Sequence, residues 1–214
     1  MTTLLIATRN AHKIAEIRQI LGGNFCFRTL GDFPDAPAVM EYADTFAGNA
    51  RKKAESLARW LPADPSSRRF YILADDSGLE VDALGGAPGV HSARFAAGGI
   101  GTLSNSPDSA NNAKLLRLLE GIAPEKRTAR FRCVLALAAA TGGQPVFFEG
   151  MCQGRIALAP SGSGGFGYDP LFVPEGHDRS LAELGENVKN KLSHRARALE
   201  KLRQFLHRNR NITS

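Results

Sequence analysis

Residues 70–74, Phe-Tyr-Ile-Leu-Ala, are apolar at every position and run straight into Asp75 and Asp76. Successive side chains on a strand point to opposite faces, so a strand that is apolar at every position must be covered on both. Helical segments alternating with such strands would supply that cover, which suggests an α/β architecture. A second run, Cys133 to Ala140, is also apolar throughout and belongs to a strand-like segment over 129–140. It is the longest such stretch, and it falls far short of the roughly 20 residues of a membrane-spanning helix, so no membrane partner is expected.

The flanking segments carry helical periodicity. Ile14, Ile17 and Leu21 follow a short β-type run at Thr3–Ala7, and Gly22-Gly23 stops the helix they define. A second helix spans about 45–61, with Asp44 as its expected N-cap and Ala47, Ala50, Ala54 and Leu57 on one side. Pro62-Ala63-Asp64-Pro65 breaks it. A third runs from Ser106 as cap, with Pro107 at its first position, to a stop at Gly121. Ser180 and Glu183 form a capping box, and Ser193 caps a last helix whose apolar side is Ala198, Leu199, Leu202, Phe205 and Leu206. Gly142-Gly143 turns segment 129–140 into segment 145–160, read as antiparallel neighbours. Strands alternate with helices early and cluster together late. The expectation is a single domain over 1–214: an elongated mixed β-sheet flanked by helices, with two lobes and a central active-site cleft.

Charge and cysteine content narrow the function. Of the chain's net +6, residues 189–214 hold eight Lys/Arg against one acidic residue, so the rest is nearly neutral. A nucleic-acid binder would spread its basic character more widely, and no nucleic-acid partner is expected. The three cysteines and five histidines are dispersed, without the spacing of a disulfide framework or a zinc site. Any metal would then use carboxylates, which points to a hard cation such as Mg²⁺. The N-terminus has no basic segment ahead of a long apolar one, so a cytoplasmic protein is expected.

The stretch LADDSG (73–78) places two like charges side by side. Both could serve one site only if the chain turned, and Ser77-Gly78 marks a bend there. The bland reading is an Asx-turn or helix cap. The functional one is Mg²⁺ ligation plus general-base work, with Glu41 as a further ligand. Lys13 lies in the first turn of its helix, where the dipole disfavours a cation. With Thr8, Asn10 and the helix N–H groups it would make an anion site. Arg51, Lys52 and Lys53, and then His194 and Arg195, repeat the pattern, which suggests a polyphosphate held where helix starts converge. Gly162, Gly164 and Gly167 match G-x-G-x-x-G. Tyr168-Asp169-Pro170 follows instead of a helix, which excludes the dinucleotide fingerprint. That loop is either a tight turn or a close approach to a ligand, with Phe166 or Tyr168 available to stack on a base.

TRNAHK (8–13), TFAGNARKKA (45–54), ADDSGLEVDALGGAPGVHSAR (74–94), GGFGYDPLF (164–172) and AEL followed by Lys189 and SHRARAL (193–199) together resemble the inosine triphosphate pyrophosphatase family, in family order over nearly the whole chain. The resemblance implies hydrolysis of ITP, dITP and XTP to the monophosphate and pyrophosphate, a Mg²⁺ requirement and a homodimer. It implies that Thr8, Arg9, Asn10, Ala11, His12 and Lys13 contact phosphates, that Glu41 and Asp76 hold the metal, and that Asp76 accepts a proton with Asp75 in support. Lys53, Ser77, Phe166, Gly167, Tyr168, Asp169, Lys189, His194 and Arg195 would bind the nucleotide. Three positions depart from the pattern: Arg9 replaces a usual glycine, Gly48 a common acidic residue and His91 a common tyrosine.

Overall fold

The computed structural model describes residues 3–23, 25–61, 70–97 and 105–209. Six strands form one sheet in the order β2-β1-β3-β4-β5-β6. They are β1 (Thr3–Ile6), β2 (Cys26–Thr29), β3 (Phe70–Val81), β4 (Thr128–Ala139), β5 (Val146–Ile156) and β6 (Phe172–Pro174). β1 pairs in parallel with both β2 and β3, and β5 pairs antiparallel with β6, so the sheet is mixed as expected. The helices are α1 (Ala11–Leu21), α2 (Phe46–Trp60), α3 (Asp108–Leu118), α4 (Leu181–Leu184), α5 (Glu186–Leu192) and α6 (His194–Arg208).

The chain divides into two compact units: residues 1–76, 133–150 and 195–214, and residues 77–132 and 151–194. In the first, strand alternation sorts the core. Leu4 and Ile6 of β1, Leu73 of β3 and Cys133, Leu135 and Leu137 of β4 join Ile17 and Leu21 of α1 and Ala198, Leu199, Leu202 and Leu206 of α6 in one apolar cluster. Leu5 and Ile72, of opposite parity, are fully buried too, and Phe46, Ala50, Ala54 and Leu57 bury the inner side of α2. In the second unit Leu79 and Val81 pack with Leu115, Leu119, Phe131, Ile156, Leu171 and Phe172.

Four local readings change. The expected bend at Ser77-Gly78 does not occur; β3 continues through both residues to Val81. Its alternation already separates the two carboxylates, and each meets cations on its own side, so neither an Asx-turn nor a cap is needed. The N-cap of α2 is Thr45, whose side chain accepts from the Gly48 N–H, and not Asp44. Pro107, not Ser106, occupies the cap position of α3, while Ser106 Oγ accepts from the Ala97 N–H instead. That helix ends at Leu118, before the left-handed Gly121. The capping box of Ser180 and Glu183 is present, and Gly22 closes α1. The break at 62–65 and the tail 210–214 lie outside the described residues. β2 carried no strong strand pattern and was not anticipated; its side chains alternate between half-buried and exposed.

Candidate active site

In the first unit β1 delivers the chain to Thr8-Arg9-Asn10 and α1. Thr8 Oγ1 accepts from the Asn10 N–H at 3.2 Å, and Asn10 Oδ1 caps the helix by accepting from the Lys13 N–H at 3.1 Å. Helix geometry gives first-turn N–H groups, including that of Ala11, no carbonyl of their own, which leaves this end electropositive. Ala11, His12 and Arg9 are exposed, and the Arg9 guanidinium donates to the Ala36 carbonyl at 3.3 Å.

Alternation along β3 sends Asp75 toward α1 and α6, and Asp76 toward α2. Asp75 is buried. It accepts from Lys13 Nζ at 2.5 Å, from Arg195 Nε at 2.8 Å and Nη2 at 3.4 Å, and from the Cys133 thiol at 3.3 Å. Burial alone would raise its pKa; the charges of Arg195 and Lys13 outweigh that and hold it well below the ordinary range. The same burial and the Asp75 charge push the Cys133 thiol well up. Arg195 is itself fully buried, and its other edge donates to Glu16, one turn beyond Lys13 on α1. Two cations and two carboxylates therefore balance in a closed group.

Asp76 accepts from Lys53 Nζ at 2.9 Å and from Asn49 Nδ2 at 3.3 Å. Lys53 also meets Glu41 Oε1 at 3.0 Å and donates to the Asp75 carbonyl at 3.0 Å. Burial, reinforced by Glu41 and opposed by Lys53, pushes the Asp76 carboxyl up to about 6. Glu41 goes the other way: burial works to raise it, and Lys53 holds it below its usual value. Glu41 and Asp76 thus present two hard oxygen donors to one point now shared with an ammonium. That set suits Mg²⁺, which takes one or two carboxylates and fills its remaining positions with water and substrate phosphates. Among the described residues no group of three or more His, Cys, Asp or Glu side chains gathers to hold a metal by itself.

The clustered cations do not behave as the helix-start argument expects. Lys53 lies two turns into α2, while Arg51 sits over the Phe147 ring and Lys52 over that of Tyr42. Lys13, Lys53 and Arg195 all answer β3 carboxylates, which had to be neutralised before they could be buried.

In the second unit the loop after Gly162 wraps around Asp169. Its carboxylate accepts from the Phe166 N–H at 2.8 Å and from Lys189 Nζ at 2.5 Å, and the ammonium lies 4.3 Å from the Phe166 ring centre. Gly165 has φ +74°, and a Cβ there would fall 2.1 Å from Asp169 Oδ2, so only glycine lets the loop close. Tyr168 is buried, with its hydroxyl donating to the Ser92 carbonyl at 2.9 Å; burial and the Asp108 charge raise its pKa. The His194 ring stacks on Phe131 at 4.7 Å. Ser77 is half-buried on β3. Phe166, Gly167, Asp169 and Lys189 are thus brought together, whereas Tyr168 and His194 have their rings in the interior.

Sequence reasoning missed Asn49, Glu16 and Cys133. Asn49 is fully buried and grips Ala43 through both backbone groups, at 2.9 and 3.3 Å, so one amide ties the Glu41 loop to Asp76. A polar residue on the apolar stripe of α2 was its one visible sign. At Gly48 a Cβ would lie 2.7 Å from that of Ala43, so the missing acidic side chain leaves room for this loop.

The Ham1 family model matches residues 4–205. The chain belongs to the Ham1 family. Among similar proteins is the dITP/XTP pyrophosphatase of Shouchella clausii (strain KSM-K16), 47% identical over 206 residues, covering 96% of this chain and 97% of that one. That of Geobacillus kaustophilus (strain HTA426) is 48% identical over 204 residues, covering 94% and 93%. The solved structure of a HAM1 protein from Coxiella burnetii superposes with a TM-score of 0.80 at 36% identity, covering 97% of this chain and 100% of the other.

Proposed function

We propose that this Ham1 protein hydrolyses ITP, dITP and XTP to the nucleoside monophosphate and pyrophosphate. Relatives bearing the name dITP/XTP pyrophosphatase over nearly their whole length support the activity. The observation that carries the chemistry is Asp76, a buried carboxyl raised to about 6 and held with Glu41 on one lysine.

A general base is most effective when its pKa lies near working pH, and Asp76 meets that condition. It takes the proton of the water that attacks the α-phosphorus; the bond from that phosphorus to the bridging oxygen breaks, and pyrophosphate leaves with the electron pair. Glu41 and Asp76 would hold Mg²⁺, which when bound supplies positive charge to the phosphate oxygens. Lys13, Lys53 and the α1 N-terminus, reached through Thr8, Arg9, Asn10, Ala11 and His12, stabilise the charge developing on the leaving group. Asp75 sets the Lys13 ammonium, and Arg195, saturated by Asp75 and Glu16, acts by holding Asp75.

In the other unit Phe166 offers its ring to the base. Gly167, Asp169, Lys189, Ser77, and the backbone near Tyr168 and His194 supply the polar edge. A 6-oxo purine satisfies groups that a 6-amino purine leaves unmatched, and unmatched buried groups are the strongest source of discrimination. Homodimeric assembly and a cytoplasmic place of action accompany this reading.

A nucleic-acid role for the basic C-terminal segment loses support from its geometry. Lys189 and Arg195 are buried in ion pairs, Lys201 donates to the Glu149 carbonyl and Arg203 pairs with Glu200. Pyrophosphate release from ITP, XTP, dITP, ATP, GTP and dTTP, with and without Mg²⁺, tests the reading. Mg²⁺-dependent release confined to the first three is expected; equal release from ATP and dTTP would refute the selectivity, and none from ITP the activity.

A further inference from the structure

Gly167 is held at both of its backbone polar groups by side chains one turn apart on α3. Asp108 Oδ2 accepts from the Gly167 N–H at 2.6 Å, and Asn112 Nδ2 donates to the Gly167 carbonyl at 3.0 Å. The orientation of the Asn112 amide is forced, because its flip would set two carbonyl oxygens against each other. Asn112 is 8% exposed, and its Oδ1 finds no partner among the described residues. A buried acceptor without a donor destabilises a fold, and a leucine of similar size would avoid that. A residue that breaks a local rule in this way is expected where function requires it. What Asn112 does on the page is hold Gly167, which follows the ring of Phe166 directly and has φ +65°.

We infer that Asp108 and Asn112 are positioning residues that determine base specificity, fixing the Phe166-Gly167 segment of the glycine loop from α3. The inference rests on the assignment of that loop to the base. It goes beyond it in naming what aims the loop: a helix that carries none of the residues assigned to substrate. Asp108 sits in the first turn of α3, where the dipole favours its charge, so its carboxylate is fixed independently of any ligand. The peptide of Gly167 is then set before the base arrives, and Phe166 meets a purine without first being ordered.

The test uses Asn112→Leu, Asp108→Ala and Asp108→Asn in the full chain. Michaelis constants are measured for ITP and GTP, inhibition constants for IMP and for inorganic pyrophosphate, and melting temperatures alongside. Asn112→Leu and Asp108→Ala are expected to raise KM for ITP and the inhibition constant of IMP about tenfold, each having lost one hydrogen bond that sets the loop. They should narrow the ITP-to-GTP preference and leave the inhibition constant of pyrophosphate unchanged. Asn112→Leu should melt no lower than the parent, because the orphan acceptor is gone. Asp108→Asn retains an acceptor oxygen and should restore parental values. Unchanged constants for ITP and IMP overturn the inference, and so does a parallel rise for pyrophosphate with a fall in melting temperature, the mark of a merely structural pair. If the parent enzyme does not hydrolyse ITP at all, the functional assignment fails first; if it does and the variants match it, only the inference fails.

Discussion

Replacing Asp76 by asparagine should stabilise the fold while it abolishes turnover. In the unfolded chain this carboxyl titrates near its ordinary 3.8, and in the fold it is pushed up to about 6, by burial first, with Lys53 opposing and Glu41 adding. The folded state therefore holds the proton more tightly. Below pH 3.8 both states are protonated, and the residue carries no penalty. As the pH climbs toward 6 the unfolded chain releases its proton first, and stability falls. Above pH 6 the full penalty is present, about 2 pH units at 1.36 kcal/mol each, or about 3 kcal/mol. Asparagine keeps the shape, has no titrating proton and leaves Lys53 its partner Glu41. The variant should thus be more stable by about 3 kcal/mol at pH 8, which for a chain of this length is a rise in Tm of roughly 6–12 °C. The gap should close by pH 4. Urea denaturation at a series of pH values in a chelator, so that no divalent cation biases the folded state, measures it. A variant less stable than its parent at pH 8, or a gap of the same size at pH 4, would refute the buried, cation-limited placement of Asp76. Undiminished pyrophosphate release would refute its role as proton acceptor.

Three further outcomes follow from the same geometry. Arg195→Met leaves Asp75 and Glu16 buried without their shared cation, and should lower stability by about 3–5 kcal/mol, seen as a fall in Tm of roughly 10 °C; an unchanged Tm would remove Arg195 from the interior. Lys13→Ala leaves Asp75 its Arg195 partner, so the fold should persist while KM for ITP rises about tenfold; an unchanged KM and kcat would take Lys13 out of the site. Cys26 is exposed while Cys133 and Cys152 are buried, so one thiol should react quickly with a disulfide reagent in the native protein and the other two only in denaturant.

The architecture was legible wherever periodicity is strong. The apolar run at 70–74 called for a strand covered on both faces, and the three- and four-residue spacing of α6 placed its buried side correctly. Short-range punctuation was less reliable. Asp44 and Thr45 are both competent caps, and only the backbone decides which carboxyl or hydroxyl meets the N–H three residues on. Ser77-Gly78 has turn composition, yet the ladder continues through it, because neighbouring strands override local propensity. Glu16, Cys133, Asp108 and Asn112 had no sequence signature, and Asn49 only its place on the apolar stripe of α2. Their roles depend on partners from 6 to 179 residues away along the chain, which spacing within a motif cannot encode.

The pair Asp75-Asp76 shows what such partners add. Adjacent strand positions point apart, so the two carboxylates never had to share one environment. Asp75 meets two cations and a thiol and stays ionised; Asp76 meets one lysine that Glu41 also claims, and rises. The same strand that buries both thus separates their chemistry: a permanently charged residue that fixes Lys13, and a titratable one fit to take a proton near neutral pH. Swapping the two environments would need no change in either aspartate, only in the helices that face them. The proposed catalytic assignment therefore rests on Lys13, Lys53, Asn49 and Arg195 as much as on the aspartates themselves.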